Sequence, residues 1–175
     1  MDPKTGEILA LAINPTFNPN TYNKETNPGI FSNTAIESVY EMGSVIKVLT
    51  VAAGIDSKSV TMETTYTDTG SETIDDYTIR NFDGKARGIV PVSEVLRQSL
   101  NIGAAHVARE MGYSVMRNYF IDKYKLGEET GIDLPSEAHG LLDNLDADSR
   151  IEFATASFGQ GIALTPIATI RALAV

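Results

Sequence analysis

A serine and a lysine lie three residues apart within residues 41–47, which read EMGSVIK. If a helix begins here, Ser44 and Lys47 share one of its faces, because residues three apart are neighbours on a helix. A serine hydroxyl becomes a strong nucleophile when a base takes its proton. A lysine amine is such a base when burial lowers its pKa, and the apolar residues around Lys47 could bury it. The spacing therefore predicts a nucleophile and its base, with Gly43 leaving space for a substrate to approach.

The same segment also has a purely structural interpretation. Ser44 could cap a helix N-terminus, and Lys47 could lay its alkyl chain along apolar surface while its amine stays in water. The Ser-x-x-Lys pattern is short, so a chain of this length can contain one by chance. Taken alone, the segment favours the structural interpretation.

A second segment, residues 98–101 (QSLN), strengthens the chemical interpretation. The hydroxyl of Ser99 could relay a proton between the lysine and a leaving amine. The carboxamide of Asn101 could donate to and accept from a substrate amide. A structural alternative exists here too, in which these residues end one helix and begin the next. The two segments in this order are much harder to explain by chance than either one alone.

The composition excludes several other kinds of site. The 175 residues include no cysteine and two histidines, which excludes a thiolate zinc site, a cysteine nucleophile and a histidine-rich metal site. A formal net charge of −9 disfavours a surface for nucleic acid. The acidic stretch 128–148 lacks the ligand spacing of an EF-hand, so we interpret it as a solvated face. We interpret His106 as a packed or surface side chain and His139 as a solvated one.

Helices are expected to position the candidate residues. The apolar side chains that follow Ser44 lie nearly all round a helix that ends at Gly54, which is typical of a buried helix. Two further helices are expected at residues 91–98 and 102–111. The turn that contains Ser99 then lies between them.

Few strands are expected. Residues 7–14 are mostly apolar, which predicts a strand covered on both faces. Residues 61–82 are rich in Thr, Tyr, Asp and Ile and fit short exposed strands or an extended arm. The fold class is therefore predicted as α/β or α+β, rich in helix.

Beyond the two motifs, the sequence resembles the transpeptidase domain of penicillin-binding proteins, most closely the class B high-molecular-weight type. Ser44-x-x-Lys47 followed by Ser99-x-Asn101 is similar to two motifs of that family. Further matches are DPKTGEILA at residues 2–10, NPTFNPN at 14–20, YEMGS at 40–44 and FGQG at 158–161. The resemblance spans nearly the whole chain and implies a penicillin-binding protein/serine β-lactamase-like fold, helix-rich with an antiparallel sheet.

The resemblance implies acyl transfer at a serine, with no metal or organic cofactor. Lys47, uncharged in the free site, would accept the Ser44 proton as the hydroxyl attacks the penultimate D-Ala carbonyl of a peptidoglycan stem peptide. The Ser44 N–H would be one oxyanion donor, Ser99 would pass a proton to the departing D-Ala, and Asn101 would orient the peptide amide. β-Lactam antibiotics would follow the first half of this reaction and stall.

The sequence departs from the family pattern in two places. Met42 stands where the family usually has proline. The family's third motif, Lys-[Ser/Thr]-Gly, follows the other two, whereas the only match here (KTG at residues 4–6) precedes the serine and is not that motif. We therefore expect residues 1–175 to be a partial transpeptidase domain, incomplete at its C-terminus. Such a fragment is expected to be inactive alone and to expose apolar surface.

Other functions remain open at this point. A D,D-carboxypeptidase or a serine β-lactamase would use the same serine and lysine, and a non-catalytic β-lactam sensor domain would retain them too. The resemblance further implies stem peptides, β-lactams and the cell-wall synthesis machinery as partners. It places the parent protein at the extracytoplasmic face of a bacterial cell membrane, with its anchor outside this chain.

Overall fold

The computed structural model describes residues 1–147 and 149–175, and Asp148, the last residue of the acidic stretch, lies outside them. Helices dominate the described residues. The α-helices are α1 (Thr34–Glu37), α2 (Ile46–Asp56), α3 (Ser93–Arg97), α4 (Asn101–Met111), α5 (Tyr113–Asn118), α6 (Arg150–Ala156) and α7 (Pro166–Ala172). Single turns of 3-10 helix and a π-helical turn connect them.

Four short strands form two antiparallel ribbons: β1 (Thr65–Asp68), β2 (Ser71–Ile74), β3 (Tyr77–Arg80) and β4 (Gly88–Pro91). The outer ribbon pairs β1 with β4, and β2 and β3 form a hairpin inserted between them in the sequence. The prediction of short strands in residues 61–82 is confirmed. The two ribbons pack against α4, which carries one of the two sequence motifs.

The predicted strand at residues 7–14 is wrong. No strand is assigned there, and most of its side chains are exposed, with Leu9 69% exposed. A strand needs a neighbouring strand to accept and donate its backbone hydrogen bonds. No such neighbour lies beside this segment in the described part of the chain. Apolar composition alone therefore did not make this segment a covered strand.

Helix α2 lies in the core, as its apolar character predicts. It buries seven of its eleven residues, Ile46, Leu49 and Ala53 among them, and packs against α4. The helix continues past Gly54 to Asp56, so the predicted end is two residues short. The reason is that Gly54 serves the packing of the two helices, since a Cβ there would lie 2.6 Å from Val107 Cγ1.

The terminal helix begins with a side-chain cap followed by a proline. Thr165 caps α7, because its hydroxyl accepts a hydrogen bond from Ala168 N at 3.1 Å, and Pro166 takes the first helical position. The longest α-helices have eleven residues. Among the described residues no helix combines the length and apolar character needed to cross a bilayer.

Candidate active site

The first motif brings its two side chains together. Ser44 lies in a 3-10 turn (Gly43–Val45) that leads directly into α2, and Lys47 lies in the first turn of that helix. Lys47 Nζ donates a hydrogen bond to Ser44 Oγ at 3.1 Å. The amine and the hydroxyl are thus within reach for a proton transfer.

The second motif meets the same two side chains. Lys47 Nζ also donates to Ser99 Oγ at 2.9 Å and to the Ser99 carbonyl oxygen at 2.7 Å. The hydroxyl of Ser99 in turn donates to Ser44 Oγ at 2.9 Å. Two hydroxyls and one amine therefore form a closed triangle, in which a proton can pass between any two corners.

An unusual backbone conformation directs both oxygens of Ser99 at the lysine. Its φ is 56°, in the left-handed region that non-glycine residues rarely adopt. The next residue anchors the turn, since Leu100 is 1% exposed and its N–H donates to the Val95 carbonyl at 3.0 Å. The strain at Ser99, on the order of 1 kcal/mol, is retained at a point where two polar groups converge.

The environment of Lys47 fits a base. The side chain is 2% exposed, so the interpretation of a lysine with its amine in water is wrong. Desolvation by burial lowers the pKa of Lys47 to about 8, because the ammonium form loses its hydration. Within residues 1–147 and 149–175 its hydrogen-bond partners are hydroxyl and carbonyl oxygens rather than carboxylates. At neutral pH a usable fraction of the amine is therefore uncharged.

The two hydroxyls face the outside of the molecule. Ser44 and Ser99 are both exposed, whereas the amine beneath them is buried. A Cβ built on Gly43 would meet no atom within 4 Å, so the approach to the serine is open on that side. A ligand can thus reach the hydroxyls without displacing the lysine.

Asn101 lies apart from this triangle. It is the first residue of α4, and its side-chain nitrogen donates to the Arg80 carbonyl at 2.7 Å, which ties the helix to the end of β3. It also borders a cavity of about 380 Å³, which Phe158 and Gln160 line as well. The carboxamide oxygen of Asn101 accepts no hydrogen bond from the described residues, so it can accept one from a ligand.

Sequence reasoning missed three groups of this site. The carbonyls of Ser99 and Arg80 are backbone atoms, and no pattern of side chains points to them. The third is Gly159, whose carbonyl accepts the Gly43 N–H at 3.2 Å. The FGQG segment that contains it was a visible signal, because two glycines around a polar residue indicate a tight turn.

A serine, a buried lysine and a second serine within hydrogen-bond distance are an arrangement that serine acyl enzymes use. The comparisons with known proteins identify the family. The sequence model of the penicillin binding protein transpeptidase domain matches residues 1–175, so the chain belongs to that family.

Curated relatives agree with this assignment. The chain is 33% identical over 175 residues to stage V sporulation protein D of Bacillus subtilis, covering 99% of this chain and 27% of that protein. It is 31% identical to peptidoglycan D,D-transpeptidase MrdA of Acinetobacter baumannii, covering 100% of this chain and 29% of that protein. The chain thus spans less than a third of the length of these relatives.

Solved structures support the fold. A structure described as a peptidoglycan glycosyltransferase from Burkholderia ambifaria has a TM-score of 0.83 at 30% identity, over 99% of this chain and 50% of its own. The transpeptidase domain of Burkholderia pseudomallei penicillin-binding protein 3 has a TM-score of 0.75 at 30% identity, over 81% of this chain and 42% of its own. The predicted helix-rich fold with antiparallel strands is confirmed.

Proposed function

We propose that the protein containing this chain is a peptidoglycan D,D-transpeptidase in which Ser44 is the nucleophile. The observation that carries the proposal is the buried amine of Lys47, which lies 3.1 Å from Ser44 Oγ. The family assignment and relatives named as peptidoglycan D,D-transpeptidases support the choice of substrate. The acyl donor is then a stem peptide that ends in D-Ala-D-Ala.

In the first half-reaction, Ser44 Oγ attacks the penultimate D-Ala carbonyl and its proton passes to the neutral amine of Lys47. A bond forms between Oγ and the carbonyl carbon, and the peptide bond to the terminal D-Ala breaks. Ser99 Oγ, at 2.9 Å from both partners, delivers the proton that the departing amine needs. Ser99 Oγ regains a proton from the Lys47 ammonium, so both side chains have their starting protonation when D-Ala leaves.

Two further residues bind and orient the substrate in this proposal. Gly43 leaves the space through which the peptide approaches the serine. Asn101 offers its carboxamide oxygen to the peptide N–H and orients the scissile carbonyl. The backbone N–H of Ser44 donates to the carbonyl oxygen as negative charge develops there.

The second half-reaction distinguishes a transpeptidase from the other serine acyl enzymes. An amine from a neighbouring stem peptide attacks the acyl-enzyme and forms the cross-link, whereas water would give a carboxypeptidase or a β-lactamase. The relatives' names favour the amine. A β-lactam stops after acylation. This assignment puts the protein at the extracytoplasmic face of a bacterial membrane, with the cell-wall synthesis machinery as its partner.

Covalent labelling tests the nucleophile. The full-length protein is incubated with a fluorescent penicillin, and intact-mass analysis followed by peptide mapping locates the adduct. Wild type and Ser114→Ala, which removes an exposed serine on α5, should gain one adduct at Ser44, and Ser44→Ala should gain none. Equal labelling of Ser44→Ala and wild type would refute the assignment. Product analysis with an added D-amino acid then separates transpeptidation from hydrolysis.

A further inference from the structure

One segment, residues 157–164, contacts the chain on both sides of Ser44. Upstream, Tyr40 and Leu164 exchange two backbone hydrogen bonds, each of 2.9 Å. This isolated β-bridge holds the backbone that leads into the turn Gly43–Val45, which contains Ser44 and is called the nucleophile turn. The segment of residues 157–164 is called the clamp below.

The clamp also contacts the residue immediately before the nucleophile. Gly43 N–H donates to the Gly159 carbonyl at 3.2 Å. A Cβ on Gly159, whose φ is +78°, would lie 2.2 Å from the Gly43 carbonyl oxygen. The two backbones are therefore in direct contact, and a side chain at position 159 would push the turn away.

Downstream of the nucleophile, the clamp is bonded to α2. The hydroxyl of Thr50 donates to the Ser157 carbonyl at 2.7 Å, and both residues are fully buried. The turn that carries Ser44 is thus held on its C-terminal side as well. Since no side chain of residues 1–147 and 149–175 caps the turn, these contacts with the clamp fix its position.

One upstream contact depends on a side chain. Glu41 Oε1 accepts a hydrogen bond from the Gly161 N–H at 2.8 Å, and an ionised acceptor makes this bond stronger than a neutral one. Gly161 has a φ of +74°, and a Cβ there would lie 2.3 Å from Asn144 Nδ2, so a side chain at this position would be crowded. Glu41 therefore links the nucleophile turn to a glycine of the clamp.

We propose that the clamp positions Ser44 Oγ for acylation and that Glu41 is its positioning residue. The inference rests on the proposed function, because it concerns the same reaction. Glu41 acts through the backbone and touches neither the substrate nor Lys47. Loss of its bond lets the turn shift relative to the Lys47 amine, and a displacement of about 1 Å at a reacting atom costs on the order of 100-fold in rate.

The effect is expected on the rate of the chemical step and not on binding. Ser44 Oγ takes part in bond formation, whereas the initial complex with a β-lactam depends on the cleft around it. Loss of positioning therefore lowers the limiting acylation rate constant and leaves the half-saturating concentration of the β-lactam nearly unchanged. A general loss of folded protein lowers the amount of labelled protein instead.

Three variants of the full-length protein test the inference, with a fluorescent penicillin as the probe over a range of concentrations. Glu41→Ala removes the acceptor, and Glu41→Gln keeps a side-chain oxygen for the Gly161 N–H. Glu137→Ala is the matched control, because Glu137 accepts backbone N–H bonds from Thr130 at 2.7 Å and Gly131 at 3.2 Å, outside the clamp.

Glu41→Ala should lower the limiting acylation rate constant by about 10- to 100-fold, with the half-saturating concentration within about twofold of wild type. Glu41→Gln should recover most of the rate, and Glu137→Ala should match wild type. Three results would overturn this inference and leave the proposed function standing. They are a wild-type rate in Glu41→Ala, an equal loss of rate in Glu137→Ala, and no recovery of the rate in Glu41→Gln. Absence of a Ser44 adduct in wild type would overturn the proposed function together with it.

Discussion

Lys47 on α2 and His106 on α4 are two basic side chains whose pKa is lowered by burial in the same core. In both cases the cause is desolvation, which disfavours the charged form. Their surroundings differ. Lys47 Nζ donates to three oxygens, two of them hydroxyls. His106 stacks on the ring of Tyr66 at 5.2 Å between centroids.

One polar atom of each member of this stacked pair has no partner in the described part of the chain, whereas His106 Nδ1 lies 4.0 Å from Glu110 Oε1. Among the described residues, neither Tyr66 Oη nor His106 Nε2 has a hydrogen-bond partner. A shifted pKa therefore marks burial in both places, but a hydroxyl within reach makes only Lys47 useful as a base. The prediction that His106 is a packed or surface residue agrees with its position. The following experiments test this contrast.

Removal of the lysine amine should have the largest effect. Lys47→Met keeps an unbranched side chain only one heavy atom shorter but has no group to accept the Ser44 proton. The acylation rate with a fluorescent penicillin should fall by about 100- to 10,000-fold, the range typical of general acid–base groups. His106→Gln, measured beside it, should stay close to wild type. Comparable losses in both variants would mean that the contrast is wrong.

The pH dependence of acylation should report Lys47 and not His106. The amine accepts a proton only when uncharged, and its pKa is about 8. The rate should therefore rise about tenfold per pH unit up to pH 8 and level off above it. The measurement is the acylation rate from pH 6 to 9.5 in wild type and His106→Gln. A flat wild-type profile, or a midpoint moved by His106→Gln, would contradict the assignment.

Removal of the second hydroxyl should have an intermediate effect. Ser99→Ala deletes the contacts to Lys47 Nζ and Ser44 Oγ but keeps the carbonyl that accepts from the lysine. We expect the acylation rate to fall by about 10- to 100-fold, since the amine stays in place while the relay is lost. An unchanged rate would remove Ser99 from the proton path. Thermal unfolding of the variant checks that its fold is intact.

The smallest effect should come from the stacked pair and should concern stability. Tyr66→Phe deletes a buried hydroxyl that has no partner in the described residues. An unsatisfied buried polar group costs about 1–3 kcal/mol, so this variant should raise the free energy of unfolding by about 1 kcal/mol. Urea denaturation measures the change, and acylation should be unaffected. A destabilised variant would show that the hydroxyl contributes to the fold.

Periodicity predicted the local part of the site. Ser44 and Lys47 are three residues apart, and the apolar sequence around the lysine gave its burial as one of two interpretations, which the structure bears out. The contact between Lys47 and Ser99 joins residues 52 positions apart, and the sequence indicated it only through the order of the two motifs and the family resemblance. A contact of that kind depends on how α2 and α4 pack, which no short pattern contains.

The features that the sequence did not predict depend on backbone atoms and on neighbouring strands. The carbonyls of Ser99 and Arg80 accept hydrogen bonds because of the direction in which the backbone runs at each residue. The types of the side chains do not reveal that direction. Residues 7–14 have the composition of a covered strand but lack a neighbouring strand in the described chain. Burial of a strand is a property of the pair, so one sequence segment cannot establish it.

The left-handed backbone at Ser99 has a consequence for how this protein tolerates variation. Glycine adopts a φ of 56° without strain, so Ser99→Gly relaxes the turn while it deletes the hydroxyl. A library sorted by heat resistance would enrich glycine at this position, whereas one sorted by reactivity toward β-lactams would retain serine. The residue enriched at position 99 would thus show whether selection for stability or selection for reactivity acted on a population.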